Sequence, residues 1–289
     1  MRAVMQRWAA PVAVALAIAC IATNVHSTPA CGDFVYKLPN VNGNLCATAQ
    51  LQDSGARSVQ GRPLWMRDVE PDSSLAAPRQ RVLVVGGIHG DELSAASVAL
   101  HWIALAQEAP ANPPVPVHWR FVPALNPDGL LAKPPRRTNA HGVDLNRNFP
   151  TPNWERDAAT YWEKRTRKDP RRWPGPKPLS EPESRFLHEQ MSSFKPHLIV
   201  SIHAPYGVLD FDGPKNGAFV PPSKLGRLYL DQVGIFPGSL GNFAGVHKGV
   251  PVVTIELPNS TRTPLDAEMR QMWLDLLRWM AERVPVGGK

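Results

Sequence analysis

The feature that most constrains the fold is a series of short apolar runs, each long enough for a strand. Residues 81–85, Arg-Val-Leu-Val-Val, are rich in β-branched side chains and end at two glycines, as expected of a strand buried on both faces. Similar runs occupy residues 118–125, 198–202 and 251–257. Helical patterns lie at residues 93–107, 181–194 (with Ser180 as the expected N-cap) and 265–283, and residues 225–233 fit a further helix.

This alternation of strands and helices predicts an α/β domain with a mixed, largely parallel sheet flanked by helices. The 289 residues of the chain suffice for one large domain, which we expect at residues 77–285. Residues 28–76 are polar and contain Gly, Asn and Ser. We expect them to form an N-terminal arm, either as a hairpin or as an extended segment.

The first 27 residues have the pattern of an export signal peptide. Arg2 and Arg7 give a positive start, residues 9–23 are almost entirely apolar, and residues 25–27 offer small side chains for cleavage. The apolar run is short for a membrane span, although an uncleaved anchor and a lipid on Cys20 are alternatives. We therefore predict an exported protein, periplasmic or secreted, with no stable membrane insertion after signal cleavage.

Removal of the signal peptide would also change the number of cysteines and the net charge of the protein. Cys31 and Cys46 would be the only cysteines left, and exported proteins often bridge such a pair, with two free thiols as the alternative. Loss of Arg2 and Arg7 would lower the formal net charge of +7 by two. The remaining charge is too small and scattered to indicate nucleic-acid binding, and it suits an acidic substrate or an anionic wall polymer.

Candidate metal ligands follow two of the predicted strands. His89 and Glu92 come directly after the strand at 81–85, and His203 directly follows the run at 198–202. Functional groups collect at the carboxyl ends of strands in open α/β sheets, and two His with one Glu can bind a catalytic zinc. Taken singly, a His beside a Glu is usually just a pair of polar residues at the protein surface. A His at a strand end is commonly a core residue whose ring nitrogens are hydrogen-bonded.

Glu256 closes the apolar run at 251–257, where an acid is costly to bury without a partner. It either marks the solvent end of the strand or serves as a general base acting on zinc-bound water. The segment Asn126-Pro127-Asp128-Gly129 precedes two arginine- and amide-rich stretches at 137–139 and 142–149. These stretches lack a helical period, and their side chains are suited to binding a carboxylate and a developing oxyanion.

The joint order of these segments resembles the M14 zinc carboxypeptidases, which have the carboxypeptidase A fold. The motifs are HxxE, NPDG, RxN, GVDLNRN, SIH and TIELP, and the resemblance covers residues 80–283. Within the family the motifs look most like those of bacterial murein-peptide amidases. The resemblance implies one Zn²⁺ per chain and a peptide or muropeptide substrate with a free carboxylate.

The resemblance also implies a role for each matching residue. His89, Glu92 and His203 would bind zinc, and Glu256 would be the general base and then the proton donor. Arg137 would polarise the scissile carbonyl and stabilise the oxyanion, whereas Asn146 and Arg147 would bind the terminal carboxylate. Asp144 would accept a hydrogen bond from His89 and fix its tautomer. A cis peptide is expected at Ala204-Pro205, since the carboxypeptidase fold has one after its last zinc ligand.

One departure and two alternatives accompany this interpretation. Digestive members of the family carry a substrate-capping Tyr a few residues before a Gly-Ser pair, and the matching stretch at 232–239 contains no Tyr.

A deacylase is the first alternative function, since proteins similar to succinylglutamate desuccinylases and aspartoacylases share the HxxE start and the Asn-Arg pair. NPDG and SIH favour the peptidase branch. A non-catalytic binding module is the third hypothesis, although no ligand or base is missing from the sequence.

Overall fold

The computed structural model describes residues 29–71, 79–108, 115–214 and 219–284. The predicted signal peptide, residues 1–27, lies outside the described residues. Within the described ranges, none of the helices has both the length and the apolar character needed to cross a bilayer.

A mixed sheet of seven strands organises the fold. Its spatial order is β1-β2-β4-β3-β5-β9-β6, and a separate hairpin is formed by β7 and β8. Strands β4, β3, β5 and β9 run parallel in the centre, whereas β1, β2 and β6 are antiparallel to their neighbours. The predicted fold class is confirmed. The strands are β1 Gln52–Arg57, β2 Pro63–Val69, β3 Gln80–Val85, β4 Val117–Val122, β5 Leu198–His203, β6 Val208–Asp212, β7 Lys224–Leu225, β8 Leu228–Tyr229 and β9 Val252–Glu256.

Helices cover both faces of the sheet, as strands of uniformly apolar residues require. On β3, Val82 and Val84 face one buried cluster, and Leu83 and Val85 face the other. The first cluster takes side chains from α1, α2, α3 and α7, and the second takes them from α6. The helices are α1 Pro29–Lys37, α2 Gly43–Ala49, α3 Leu93–Gln107, α4 Pro127–Leu131, α5 Trp154–Thr160, α6 Pro182–Phe194 and α7 Asp266–Arg283.

Two predictions about local structure were wrong. Residues 225–233 are not helical, because β7 and β8 form a short hairpin around Gly226, whose φ is +58°. That left-handed conformation is unfavourable for other residues and incompatible with a continuing α-helix. Helix α6 has Glu181 rather than Ser180 as its N-cap. The Ser180 hydroxyl instead donates to Glu181 Oε1 at 2.7 Å.

The described part of the segment preceding β3 contains two helices and a hairpin. It comprises α1 and α2, joined by a Cys31–Cys46 disulfide with a Cα–Cα distance of 5.6 Å, followed by the β1–β2 hairpin. The hairpin was one of the two predicted alternatives. Since β2 pairs with β4, the hairpin extends the main sheet.

The hairpin is also attached to the domain by a buried carboxylate in α4. Asp128 Oδ1 accepts a hydrogen bond from Ser58 Oγ at 2.8 Å, and its Oδ2 accepts one from the Gln60 amide at 2.9 Å. Arg62 Nε lies 3.3 Å from Oδ1. Asp128 is 2% exposed. One side chain therefore holds the turn between β1 and β2 against α4.

We predict that Asp128→Ala destabilises the protein by about 2–4 kcal/mol, because it leaves the Ser58 and Gln60 donors buried without their acceptor. Urea unfolding of the oxidised protein measures the loss. Asp53→Ala is the matched control, since Asp53 pairs with Arg57 at the surface and such pairs contribute at most about 1 kcal/mol. Equal losses in the two variants would contradict an anchoring role.

Candidate active site

Parallel pairing in the sheet brings the candidate residues to one edge. Val85 is in register with Ser201, and His203 is in register with Glu256. His89 and Glu92 follow β3 within the loop that leads into α3. Three separate chain segments therefore meet where β3, β5 and β9 end, as expected for the carboxyl edge of an open α/β sheet.

Close packing of the loop between β3 and α3 fixes its path. A Cβ on Gly90 would lie 2.3 Å from the backbone carbon of Gly129 in α4, so this position has no room for a side chain. The Gly90 amide donates to the carbonyl of Arg137 at 3.3 Å. The loop that carries His89 and Glu92 is therefore held directly against the segments NPDG and RxN.

The ring nitrogens and the carboxylate of the candidate ligands converge on one point. His89 Nδ1 lies 2.8 Å from Glu92 Oε1 and 3.2 Å from His203 Nδ1. His203 Nδ1 lies 3.0 Å from Glu92 Oε2. All three residues are buried. Their potential ligand atoms all lie within 4.8 Å of one another.

This donor set fits a zinc ion. Ligands at 2.0–2.1 Å in a tetrahedral arrangement are separated by about 3.3 Å, which is close to the spacing of the two Nδ1 atoms. The opposite ring nitrogens have other partners: His89 Nε2 contacts Asp144 Oδ1 at 3.2 Å, and His203 Nε2 contacts Ser201 Oγ at 3.0 Å. A proton on Nε2 of each ring leaves the Nδ1 lone pairs directed at the shared point. A cation there would satisfy the three groups together.

Asp144 lies behind His89 and Arg137. Its Oδ1 contacts His89 Nε2, its Oδ2 accepts from Arg137 Nε at 3.0 Å, and its Oδ1 also accepts from the Asn146 amide at 3.0 Å. Burial opposes ionisation of Asp144, but the charge of Arg137 and the hydrogen bond from His89 outweigh it and hold the pKa of Asp144 well below its usual value. Asp144 is thus a buried anion that orients an imidazole and a guanidinium.

The guanidinium group of Arg147 lies over two aromatic rings. Its guanidinium carbon lies 4.4 Å from the centroid of Phe236 and 5.9 Å from that of Tyr161. One terminal nitrogen donates to the Asn146 carbonyl at 2.6 Å. Its buried Nε has no hydrogen-bond partner among the described residues. The neighbouring Asn146 Oδ1 accepts from the Leu240 amide at 2.8 Å, which fixes the orientation of that side chain.

Glu256 faces the same space from the end of β9. It is 6% exposed, and its Oε2 has no hydrogen-bond partner among the described residues. Burial raises the pKa of the Glu256 carboxyl, and the neighbouring Glu92 adds to that effect. A buried carboxyl with a free oxygen and a raised pKa is suited to exchanging protons with a reacting group.

A single cavity of about 290 Å³ brings these side chains together. Of the eight predicted site residues, seven line it, and Asp144 lies behind them: the lining set is His89, Glu92, Arg137, Asn146, Arg147, His203 and Glu256. The peptide bond between Ala204 and Pro205 is cis, as predicted.

Several residues that line or support the cavity were not predicted from the sequence. The rings of Phe236 and Tyr161 lie beside the Arg147 guanidinium, and Asp210 and Asp212 line a further part of the wall. Phe236 lies in the stretch at 232–239, which lacks the capping Tyr of the digestive enzymes. The alternation Asp-Phe-Asp in a short apolar run was the available signal for the two acids.

A mixed α/β sheet whose parallel strands end in a buried His₂Glu cluster, beside a carboxyl with a raised pKa, defines a metal-dependent hydrolase. The chain belongs to the zinc carboxypeptidase family, peptidase M14, which matches residues 47–212. Members of this family depend on zinc, and His89, Glu92 and His203 are positioned as a possible site for it.

Individual relatives agree with this assignment. The chain is 31% identical to murein peptide amidase A of Escherichia coli K12 over 235 residues, which cover 77% of this chain and 88% of the relative. It is 30% identical to murein peptide amidase A of Vibrio campbellii over 219 residues, covering 75% and 81% respectively.

Solved structures of similar proteins share the fold of this chain. The murein-tripeptide amidase of Escherichia coli O157 superimposes with a TM-score of 0.53 at 26% identity, covering 82% of this chain and 93% of that chain. Carboxypeptidase A of Helicoverpa armigera gives a TM-score of 0.62 at 17% identity, covering 83% and 72%, and supports the fold.

We predict that His203→Ala abolishes stoichiometric zinc binding and activity, because only two of the three converging ligands remain. Metal content per chain and amide hydrolysis are the measurements. His247→Ala is the matched control, since His247 is exposed at the end of a helical turn. One zinc per chain together with full activity in His203→Ala would remove His203 from the ligand set.

Proposed function

We propose that this protein is a zinc carboxypeptidase that hydrolyses a C-terminal or γ-linked amide bond in cell-wall (murein) peptides carrying a free carboxylate. The observation that carries the proposal is the composition of one cavity. A His₂Glu cluster and Glu256 line it together with an arginine and an asparagine suited to binding a carboxylate. Hydrolysis of the amide bond and binding of the substrate's carboxylate would thus occur in the same cavity.

In this proposal His89, Glu92 and His203 hold the zinc ion. Bound there, zinc supplies Lewis-acid chemistry, polarising the scissile carbonyl and acidifying water. Glu256 takes a proton from the attacking water and then delivers it to the departing amide nitrogen.

Arg137 donates to the oxyanion that develops on the carbonyl oxygen. The guanidinium is held by Asp144 at 3.0 Å and lies 3.7 Å from Glu92 Oε1, so its position beside the cluster is fixed before substrate binds. Preorganised donors of this kind avoid reorganisation during the reaction.

We predict that Glu256→Gln retains zinc but lowers kcat by about 10²–10⁴-fold, the usual contribution of a positioned acid–base group. An amide cannot accept the water proton, yet it preserves the size of the side chain. Zinc content and steady-state kinetics are measured on the same samples. Glu282→Gln, an exposed site on α7, is the control. An unimpaired rate in Glu256→Gln would exclude it as the base.

Asn146 and Arg147 bind the terminal carboxylate of the substrate. An arginine fork can hold a carboxylate through two charge-assisted bonds, and the rings of Phe236 and Tyr161 keep that fork from turning. Holding the carboxylate would place the neighbouring amide beside the His₂Glu cluster and Arg137. Binding energy would thereby be used to orient the reacting bond.

Murein peptides are the proposed substrates because two relatives that cover most of this chain bear the name murein peptide amidase A. A bond involving diaminopimelate, or a similar residue with a free carboxylate, fits this site because Asn146 and Arg147 can bind that carboxylate. The signal-like residues 1–27 support export to the compartment where wall peptides occur. The Cys31–Cys46 disulfide is consistent with an oxidising compartment.

We predict that Arg147→Ala raises KM strongly and also lowers kcat, since the interaction of Arg147 with the terminal carboxylate both binds and orients the substrate. Amidation of the substrate's terminal carboxylate should reproduce the loss in the unaltered enzyme. Arg227→Ala, which removes an exposed arginine, is the charge-matched control. Product masses identify the bond cut. Equal rates for the carboxylate and amide forms of one muropeptide would contradict the carboxypeptidase function and favour an endopeptidase or a deacylase.

A further inference from the structure

A second cavity, of about 460 Å³, adjoins the catalytic cavity, and the proposed mechanism does not use it. Its lining residues include Trp162, Trp173 and Pro170, with Arg136 and Arg171 beside them. The exposed wall is almost entirely apolar, and both tryptophans are half-buried. We call this cavity the tryptophan pocket.

Arg171 links the tryptophan pocket to the catalytic cavity, because it lines both of them. Its guanidinium pairs with Asp91 at 2.8 Å, and Asp91 directly precedes the candidate metal ligand Glu92. On the other wall, Arg137 lines the catalytic cavity and the adjacent Arg136 lines the tryptophan pocket. A ligand that fills the catalytic cavity can therefore extend past Arg171 into the pocket.

Hydrogen bonds place the two tryptophans before any ligand binds. Trp162 Nε1 donates to the Asp169 carbonyl at 2.8 Å, which fixes the orientation of the indole. Asp169 Oδ1 in turn accepts from the Arg171 amide at 2.9 Å. The Trp173 carbonyl accepts from the Asp144 amide at 2.8 Å, so the backbone of Trp173 is held against the catalytic cavity.

The groups of the pocket are available to a ligand. Within the described ranges, neither Trp162 nor Trp173 has an aromatic or cationic partner on its ring. The side chain of Arg136 is exposed, and it makes no hydrogen bond or ion pair with the residues that the structure describes. The pocket thus combines flat apolar surface with an unused guanidinium.

These features match a pyranose sugar ring. The C–H groups on one side of such a ring form an apolar face, and their positive polarisation suits the negative face of an indole. The oxygens at the edge of the ring can accept hydrogen bonds from a guanidinium. An apolar side chain would leave Arg136 without an acceptor, and a small anion would leave the tryptophans uncovered.

The proposed function places a sugar at the appropriate end of the substrate. Asn146 and Arg147 would hold the terminal carboxylate, so the amino-terminal part of the peptide extends from the His₂Glu cluster away from Arg147. Asp91 and Arg171 border the cluster, and the tryptophan pocket lies beyond them. In murein the amino terminus of each peptide is joined to an amino sugar.

We propose that the tryptophan pocket binds the amino-sugar ring of a muropeptide whose peptide end occupies the catalytic cavity. The inference rests on the proposed function, and it narrows the substrate class to peptides that are still joined to their sugar. Trp162 and Trp173 take no part in bond cleavage. Their contact with a remote part of the substrate strengthens its binding and lowers KM.

Two substrates that differ at the amino terminus test this inference on the full-length protein. One is N-acetylmuramoyl-L-Ala-γ-D-Glu-diaminopimelate, and the other is the same tripeptide with an acetyl group in place of the muramoyl group. The unaltered enzyme should cut the muramoyl peptide with a kcat/KM at least about tenfold higher, as expected for one stacked ring with its hydrogen bonds. Equal values for the two substrates would overturn the inference.

Substitutions of Trp162 separate a sugar contact from a structural role. Trp162→Ala should remove most of the preference and leave the acetyl peptide unchanged, whereas Trp162→Phe should retain much of it because an aromatic face remains. Both variants lose the hydrogen bond to Asp169. Equal effects of the two, or equal slowing of both substrates, would assign Trp162 a structural role and refute the inference. Tyr36→Ala, which removes a 92% exposed ring on α1, is the control.

A binding measurement distinguishes failure of this inference from failure of the proposed function. Calorimetry with N-acetylmuramoyl-L-Ala-γ-D-Glu, which lacks the bond to be cut, should show binding that Trp162→Ala weakens. Absence of that binding would overturn the inference alone. If the unaltered enzyme cuts neither tripeptide substrate, the proposed function itself fails.

Discussion

The in-register parallel pairing of β3, β5 and β9 is the constraint on which the site depends. It aligns the ends of three strands, so that His203 and Glu256 stand side by side and the loop after β3 brings His89 and Glu92 to them. A shift of one residue in either strand pair would turn a ligand to the opposite face, because side chains alternate along a strand. The buried clusters on the two faces oppose such a shift, since it would also move valines and isoleucines out of their clusters.

Electrostatic pairing then determines which groups remain available to a ligand. Asp144 engages both His89 and Arg137, and Arg171 is paired with Asp91. Among the described residues, metal-binding or hydrogen-bonding groups remain available at the His₂Glu cluster, Glu256 Oε2 and Arg147 Nε. Each of these groups is buried, so each lacks the solvation it would have in water. Under the proposed function, these positions match a ligand with a carbonyl to be polarised and a carboxylate.

The sequence predicted most of the sheet and the residues of the metal cluster, because these depend on local patterns. The apolar runs and the motifs at their ends identify β3, β5 and β9 without knowledge of their neighbours. Contacts between distant segments carry no such signal. The contact of Phe236 with Arg147 joins residues almost ninety positions apart, and the acids of β6 become significant only once β6 is paired with β9. The error at residues 225–233 has a local cause, since Gly226 adopts a left-handed conformation that an apolar pattern does not reveal.

The N-terminal hairpin is linked to the candidate catalytic residues through α4. Asp128 holds the β1–β2 turn, and in the same segment Asn126 Nδ2 donates to the Arg137 carbonyl at 3.0 Å. The Gly129 carbonyl accepts from the Arg136 amide at 3.0 Å, and Gly90 packs directly against Gly129. Backbone atoms that close together cannot move independently, because interiors at this packing density have no space to absorb a displacement. The NPDG segment therefore fixes the path of Arg137 and of the loop carrying His89 and Glu92, although none of its four residues lines the cavity.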